Sequence, residues 1–369
     1  MAAPGAQART RVTGLRASKA GTRSRALRTP SGRAPGVATR RPADSSPSSE
    51  GAQGVQVAEI QRSRLLAATI RAIEELGYPS TSVAQITRRA RVSRRTFYEL
   101  FSGREECLAA VMRDIVALIE AELSAVDLQG LAWRERVRVG LWTILCFCDR
   151  EPALARVCFV HALRGGPAVL EQRDEILARL ANILDEGRRE SARAAKLTPM
   201  TAEGLVGAAC AILHARLQRK QHRPLRDLQG ELTALIVLPY LGAAAAHRER
   251  ARPAPAPRSG ATHGSVGGGR IAGDPLDGVA MRLTYRTARV LGGIGAHPGA
   301  SNREIAQHAG IADQGQVSKL LTRLERLGLL ANRGPGHLKG EPNAWQLTTK
   351  GELVAQSIRA HSPQGRRAA

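Results

Sequence analysis

The sequence predicts an all-α protein that carries a small β-hairpin near its C-terminus. Apolar residues recur at three- and four-residue spacing from Ala58 to about Ala251 and again over 277–360, which is the pattern of amphipathic helices. Between these regions, residues 252–276 are rich in Pro, Gly and Ser and have little capacity to pack. We therefore expect two compact helical regions, joined by a linker and preceded by an arm over 1–57.

The N-terminal arm is basic and poor in large apolar residues. Residues 1–57 hold ten basic residues against Asp44 and Glu50, a net charge of +8. Such a composition buries too little apolar surface to fold, so we expect a disordered arm that adds salt-sensitive attraction to DNA. The same acid-poor, arginine-rich composition is also typical of organellar transit peptides. A second basic segment, 358–369, is expected to form a tail.

The charge of the whole chain indicates the class of partner. There are 55 Lys and Arg against 32 Asp and Glu, a formal net charge of +23. This excess favours a polyanion, either nucleic acid or an acidic membrane surface. No apolar run approaches the roughly 20 residues that a membrane helix needs, so we expect no membrane partner.

The cysteines show no metal-ligand spacing, and we expect no metal and no cofactor. All lie in apolar, helix-like surroundings, where reduced and buried thiols are the expected state. The five are Cys107, Cys146, Cys148, Cys158 and Cys210.

Residues 58–106 predict a helix-turn-helix. A helix ends at Gly77, after which Ser82 caps the short helix VAQITRRA and Ser93 caps the helix RRTFYELF. The segment from Ser102 to Glu105 has capping-box spacing and is expected to open a fourth helix. Two short helices joined by a tight turn are the arrangement that places a helix in the DNA major groove.

The second helix of this motif has an apolar and a basic side. Phe97 and Phe101 are four residues apart, share one face and are predicted to be core. Arg94, Arg95 and Tyr98 remain on the outside. Because arginine can donate two hydrogen bonds to guanine O6 and N7, this side is suited to contact base edges.

The run TSVAQITRRARVSRRTFYELFSGREECL resembles the DNA-binding end of the TetR family of bacterial regulators. The family usually has a turn glycine where this chain has Arg91. A positive φ costs a non-glycine residue about 1 kcal/mol, so we expect a slightly reshaped turn with Arg91 directed toward the DNA backbone. The resemblance implies further DNA contacts, with base edges contacted by Arg94, Arg95 and Thr96, and phosphates by Ser82, Tyr98 and Arg104.

Residues 107–251 form helices with long apolar faces, where the resemblance implies a ligand pocket and a dimerisation surface. We expect the helices over 202–221 and 225–247 to form a four-helix interface between two copies of the chain. Small residues, including Gly207 and Ala211, allow two helices to approach closely there.

A pocket in this middle region is expected to be mostly aliphatic, because only 3% of the residues are aromatic. The candidate lining residues are Trp142, Phe147 and Phe159, although aromatic residues on apolar helix faces are more often simply core. His161 and His214 have no Ser, Cys or carboxylate at interpretable spacing. We therefore predict an unidentified small-molecule effector and no catalytic residue.

Residues 277–357 predict a second DNA-binding motif. Capping-box spacing occurs at Ser301–Glu304 and at Asp313–Gln316. Two short strands follow, with Trp345 and Leu347 directed inward. The helix that begins after Asp313 is expected to bury Val317, Leu320, Leu321 and Leu324.

The phrases DQGQVSKLLTRLERLGLL and NAWQLTTKGE resemble a winged helix-turn-helix of MarR-like regulators. Winged helices also serve as protein-contact or dimerising modules, so this alternative stays open. The resemblance implies DNA contacts from the recognition helix and the wing: Gln314, Ser318, Lys319, Thr322, Arg323, Arg333 and Lys339.

These features and the two resemblances together imply a sequence-specific transcriptional regulator, a dimeric repressor controlled by a small molecule. It is expected in the bacterial cytoplasm, associated with the nucleoid. Its ligand is expected to favour a spacing of the recognition helices that no longer matches the DNA. The alternative is an architectural protein that binds DNA without sequence preference. An enzyme is disfavoured, because the sequence lacks a nucleophile, metal or phosphate-loop signature.

Overall fold

The structure, a computed structural model, is predominantly helical, and the sheet within its described residues has two strands. The predicted fold class is confirmed. The described residues belong to one compact unit, Ser46–Ala369, and the predicted domain boundaries stay predictions. The described residues are 47–219, 223–255, 274, 276–334 and 342–360.

Several predicted segments lie outside the described residues. These are the arm up to residue 46, most of the linker, the wing tip over 335–341 and the tail from residue 361 onward.

The N-terminal region is built from four helices. The first begins upstream of Ala58, where the sequence pattern placed its start, so that prediction was wrong. Val57 and Ile60 explain the difference, because both are buried in the core of the C-terminal region and their burial stabilises an additional stretch of helix. The helices are α1 (Pro47–Leu76), α2 (Val83–Ala90), α3 (Arg94–Leu100) and α4 (Arg104–Ser124).

The predicted caps of α2 and α3 are confirmed. Ser82 Oγ accepts the Gln85 N–H at 3.3 Å, and Gln85 Oε1 accepts the Ser82 N–H at 2.7 Å, which completes a capping box. Ser93 Oγ accepts the Thr96 N–H at 2.9 Å. Arg91 ends α2 at φ 54°, so the turn keeps the left-handed conformation that favours glycine, and the reshaped turn expected from the sequence is not observed.

The predicted capping box at the start of α4 was wrong. Gly103 is the N-cap and no side chain caps this end. Glu106, not Glu105, accepts the backbone N–H of Ser102, at 2.6 Å. Glu105 is taken by a distant partner, because its carboxylate accepts the Ala168 N–H at 2.8 Å. Local spacing could not reveal a competitor that lies more than sixty residues away in the chain.

The middle region contains six further helices. Between the second and third of them, Val157–His161 form a π-helical turn, a geometry that is rare and often found at functional sites. The helices are α5 (Trp133–Arg150), α6 (Pro152–Arg156), α7 (Pro167–Asp185), α8 (Pro199–Gln218), α9 (Gln229–Leu241) and α10 (Ala243–Ala251).

The C-terminal region has the helix, helix, recognition helix and hairpin order of a winged helix. The strands pair antiparallel, with Ala331 opposite Gln346. Trp345 is buried, while Leu347 is half-buried against the same cluster. The elements are α11 (Tyr285–Ala296), α12 (Asn302–His308), α13 (Gln314–Arg326), β1 (Leu330–Asn332), β2 (Trp345–Leu347) and α14 (Thr349–Ala360).

Of the two capping boxes predicted in this region, one is confirmed and the other is incomplete. Ser301 and Glu304 form the predicted capping box. Asp313 caps α13 by accepting the Gln316 N–H at 3.0 Å. The Gln316 side chain, however, donates from Nε2 to the Asp313 carboxylate at 2.8 Å, and its Oε1 accepts from Arg286 instead of from the Asp313 backbone N–H, so the predicted reciprocal box is incomplete.

The N-terminal and C-terminal regions share helix α1. It contacts α2 and α4 of its own region and also α11 and α14. The Gln61 amide donates to the Leu283 carbonyl at 3.0 Å, and Arg64 donates to the Met281 carbonyl at 2.9 Å. The sequence pattern did not predict this contact, because its two sides are separated by more than two hundred residues.

Candidate nucleic-acid interface

Helix α3 presents a basic surface that is supported by aromatic packing. Phe97 and Phe101 are buried, with ring centroids 5.7 Å apart, and Tyr98 meets Phe97 edge-on at 5.4 Å. Arg94 and Arg95 are exposed, and Tyr98 is 58% exposed. The aromatic side therefore fixes the helix, while the basic side remains accessible to an anion.

The two arginines of α3 differ in their surroundings. Arg95 Nε lies 2.8 Å from the Glu99 carboxylate, one helical turn away, and this hydrogen bond raises the pKa of Arg95. Glu99 thus pairs with Arg95 and not with Arg94. Among the described residues Arg94 has no carboxylate partner. Arg94 can therefore meet a base edge without first breaking an ion pair.

Thr96 and Ser82 are committed to local hydrogen bonds. The Thr96 hydroxyl lies 2.7 Å from Ser93 Oγ, within the cap of α3, and Thr96 is half-buried. The Ser82 hydroxyl donates to Gln85 Oε1 at 3.0 Å and stays exposed. Both side chains shape helix N-termini, whose unpaired N–H groups suit phosphate oxygens.

Arg104 braces the joint between α1 and α2. Its Nη1 donates to the carbonyls of Tyr78, Pro79 and Thr81, the last at 2.7 Å, and its guanidinium lies 4.8 Å from the centre of the Tyr78 ring. The guanidinium therefore has three backbone partners already, which assigns Arg104 a positioning role within the motif. Two of the three carbonyls belong to the Tyr78-Pro79 pair, which marks this joint in the sequence.

On α13 the candidate residues lie mostly at the surface. Gln314, Lys319 and Arg323 are exposed, while Ser318 is half-buried. Thr322 is exposed and donates to the Ser318 carbonyl at 3.1 Å. The opposite side of the helix buries Val317, Leu321 and Leu324, and Leu320 is half-buried.

The base of the wing is held by asparagines that the sequence analysis missed. Asn302 Oδ1 accepts from Trp345 Nε1 at 2.5 Å and from Asn343 Nδ2 at 3.1 Å. Asn332 donates to Asn343 at 2.7 Å. Arg333 follows directly and is exposed, so these bonds fix the backbone from which it extends. Lys339 lies outside the described residues.

A cavity of about 490 Å³ lies in the middle region. Its lining is largely aliphatic and includes Phe147 and Phe159, but Trp142 is not among the lining residues. His214 also lines it, with Nδ1 2.7 Å from the Phe159 carbonyl in the π-helical turn. Because the carbonyl oxygen can only accept, Nδ1 carries the hydrogen of this bond.

Three cysteines also line this cavity: Cys148, Cys158 and Cys210. All five cysteines of the chain are free. Burial raises the pKa of Cys148 to about 12 and raises the pKa of Cys158 as well. These thiols stay protonated near neutral pH and act as apolar lining. In the part of the chain that the structure describes, no three His, Cys, Asp or Glu side chains cluster as metal ligands.

The two helices chosen for dimerisation differ in exposure. On α8 a Cβ added at Gly204 would meet no atom within 4 Å, and Gly204 is exposed. Gly207 and Ala211, which the sequence analysis chose for the interface, line the cavity. On α9 most side chains are buried within the protomer, where α5 and α10 pack against it. Leu238 is the large apolar side chain that α9 exposes, at 45%.

Two family profiles match separate parts of the chain. Residues 65–111 match that of the bacterial regulatory proteins, tetR family, and residues 283–337 match that of the MarR family. These matches coincide with the N-terminal helix-turn-helix and with the winged helix. Both families consist of transcriptional regulators.

Curated relatives and solved structures give more distant similarities. The chain is 36% identical over 62 residues to the HTH-type transcriptional regulator BetI of Burkholderia cenocepacia and of Burkholderia ambifaria, which covers 17% of this chain. It spans about a third (32%) of the length of these relatives.

Among solved structures, the fatty acid degradation regulator FadR of Bacillus halodurans aligns with 18% identity and a TM-score of 0.42, over 48% of this chain and 94% of that one. FadR of Bacillus subtilis, solved with stearoyl-CoA, aligns with 19% identity and a TM-score of 0.42, over 48% of this chain and 97% of that one.

None of the described helices is long and apolar enough to span a membrane. The placement of Arg94 and Arg95 on a supported helix agrees with the first profile match, and the paired strands after α13 agree with the second. The chain therefore joins, in one polypeptide, a region that matches the TetR family and a region that matches the MarR family.

Proposed function

We propose that the chain is a sequence-specific DNA-binding repressor whose affinity for DNA is lowered by an apolar small molecule. The observation that carries this proposal is the surface of α3, where Arg94 is exposed without a carboxylate partner above buried Phe97. A guanidinium so placed can donate two hydrogen bonds to a guanine. The role of the protein is regulatory and not catalytic, and the protein acts at the bacterial chromosome in the cytoplasm.

Helix α4 supports a connection between the cavity and DNA. Its first residue, Arg104, bonds the backbone between α1 and α2. Further along the same helix, Met112, Ile115 and Ile119 line the cavity. A ligand that shifts this part of α4 also shifts the joint that positions α2 and α3, because a helix moves as one element.

A second connection runs through α6 and α1. Arg156 of α6 forms an ion pair with Glu74 near the end of α1. The next residues along the chain form the π-helical turn, from which Phe159 lines the cavity. A ligand that moves this turn therefore acts on α1 as well, and two connections favour one spacing of the recognition helices over another.

The functional form is a homodimer through α8 and α9. The open space around exposed Gly204 of α8, together with exposed Leu238 of α9, supports this arrangement. A second copy places a second α3 on the DNA, so that the site has two half-sites about one helical turn or more apart.

Footprinting of the protein on the DNA upstream of its own gene tests the DNA-binding role. We expect a bounded protected site that Arg94→Ala abolishes. Uniform protection along the DNA, unchanged in Arg94→Ala, would indicate an architectural protein and would contradict the proposal.

The effector role is tested with an apolar fluorescent probe that enters the cavity. Compounds that displace the probe are expected to release the protein from its site. Leu177→Trp fills part of the cavity and is expected to retain DNA binding while losing this release. If DNA binding responds to the compounds equally in Leu177→Trp, the cavity is not the effector site.

A further inference from the structure

The N-terminal half of α1 belongs to the core of the winged helix. Val57 is 5% exposed and Ile60 is fully buried, and both lie in one hydrophobic cluster with Leu283, Leu291 and Ile358. Burial of two aliphatic side chains against that cluster favours a docked winged helix over a freely moving one.

Polar bonds fix the register of this contact. Gln61 and Arg64 donate to the carbonyls of Leu283 and Met281, in the segment that leads into α11. Arg64 also pairs with Asp274, with Nε 3.1 Å from the carboxylate and both side chains nearly inaccessible. Because buried polar groups are costly without partners, sliding of α1 along the winged helix would break several bonds at once.

The same helix continues into the TetR-type motif without a break. Leu65, Leu66 and Ile73 lie in the hydrophobic cluster that contains Phe97 of α3. Between Val55 and the end of α1 the sequence has no Gly or Pro, the residues at which helices usually kink. This stretch is a stiff rod about 30 Å long. A Pro- and Gly-rich linker alone would allow a wide range of separations.

We propose that the two DNA-binding motifs form one composite DNA-binding unit, in which α1 sets a fixed distance between the base pairs contacted by α3 and those contacted by α13. The ligand is double-stranded DNA that carries two short sequence elements at one spacing. This inference rests on the proposed function, in that α3 binds DNA, and adds that α13 binds the same DNA molecule.

Changing the spacing in the DNA tests the proposal with the unmodified protein. A random-sequence selection with the full-length chain first defines the preferred site. Insertions of about 5 and about 10 base pairs are then placed between the two elements, the longer of which restores the helical phase of the DNA. We expect both insertions to weaken binding at least about tenfold, the loss typical of a lost base contact.

The result with the longer insertion distinguishes a rigid composite unit from two motifs that are joined only by a flexible linker. Two motifs on a tether would regain their affinity once the phase is restored. Unweakened binding to the site with the longer insertion would therefore overturn the proposal, as would equal binding to all three sites. These outcomes do not depend on the folding of any variant.

A matched pair of variants on α1 tests the contact itself. Val57→Asp places a carboxylate in the shared core, whereas Val55→Asp makes the same change at a position that is 48% exposed. We expect Val57→Asp to bind the site with the longer insertion as tightly as the original site, and Val55→Asp to discriminate between these two sites like the unmodified chain. Discrimination retained in Val57→Asp would contradict a role for this contact.

The failure of the inference is distinguishable from failure of the proposed function. A selection that returns no preferred sequence contradicts the proposed function. A single selected element that depends on Arg94 and not on Lys319 or Arg323 leaves the proposed function standing and contradicts the composite unit alone.

Discussion

Arg64 in α1 and Asp274, which precedes the winged helix, form a buried ion pair with 3.1 Å between Nε and the carboxylate. Burial lowers the pKa of Arg64, and the charge of Asp274 opposes that shift. Arg91, at the turn of the helix-turn-helix, lies near enough to lower the pKa further. The junction between the two regions thus lies close to the DNA-binding turn.

Removing the carboxylate of this pair is predicted to destabilise the protein. Asp274→Asn leaves the Arg64 guanidinium buried without a counter-charge, at a cost of about 3–5 kcal/mol. Urea unfolding measures the change. Asp277→Asn is the control, since Asp277 is exposed, and we expect almost no change there. Equal stability of the two variants would show that the pair is not buried in solution.

Loss of the α3 cap is predicted to destabilise the recognition helix. Ser93→Ala removes the side-chain acceptor of the Thr96 N–H and should cost about 1 kcal/mol. Ser80→Ala is the control, because Ser80 is exposed and caps no helix. Thermal unfolding compares the two variants, and an equal loss in both would contradict the role of Ser93 as the cap of α3.

Arg91→Gly is predicted to stabilise the protein. A non-glycine residue at φ 54° carries a strain of roughly 1 kcal/mol, which glycine relieves. The substitution also removes a positive charge close to buried Arg64. We expect a higher midpoint of urea unfolding together with weaker DNA binding. Arg91→Lys keeps the charge and the strain, and should leave both quantities nearly unchanged.

Stability is predicted to fall on the alkaline side. Burial raises the pKa of Cys107 and Cys148 to about 12 in the folded protein, whereas unfolded thiols titrate near about 8.5. Between these two pKa values only the unfolded chain releases the thiol proton. The stability that each protonated thiol contributes is therefore fully present below the unfolded pKa and is lost as the pH rises toward the folded pKa.

Urea unfolding near neutral pH and at about pH 10 measures how steeply the free energy of unfolding falls with pH. Cys148→Ala should reduce this slope by up to about 1.4 kcal/mol per pH unit. Leu145→Ala is the control, since it removes a buried side chain that does not titrate and should lower stability equally at both pH values. A slope unchanged by Cys148→Ala would mean that this thiol titrates normally.

Local features of the DNA-binding motifs could be predicted from the sequence. The caps at Ser82, Ser93 and Ser301 depend on neighbours within a few residues. The core positions Phe97 and Phe101 follow from helical spacing for the same reason.

The remaining features depend on partners far away in the chain. The Glu105 carboxylate accepts a hydrogen bond from Ala168, and Arg104 donates to carbonyls before α2. Val57 and Ile60 of α1 pack against the winged helix. A sequence pattern reports which side of a helix is apolar, but not which distant element covers it. The cavity shows the same limit, because Phe147 and Phe159 line it and Trp142 does not.

The most direct measurement is a random-sequence DNA selection carried out in parallel with the unmodified chain, with Arg94→Ala and with Arg248→Ala. Arg248 is an exposed arginine of α10 and controls for the loss of one positive charge. The account predicts one dominant site that is enriched by the unmodified chain and by Arg248→Ala, and is lost in Arg94→Ala. The same enrichment in all three would contradict base recognition by α3.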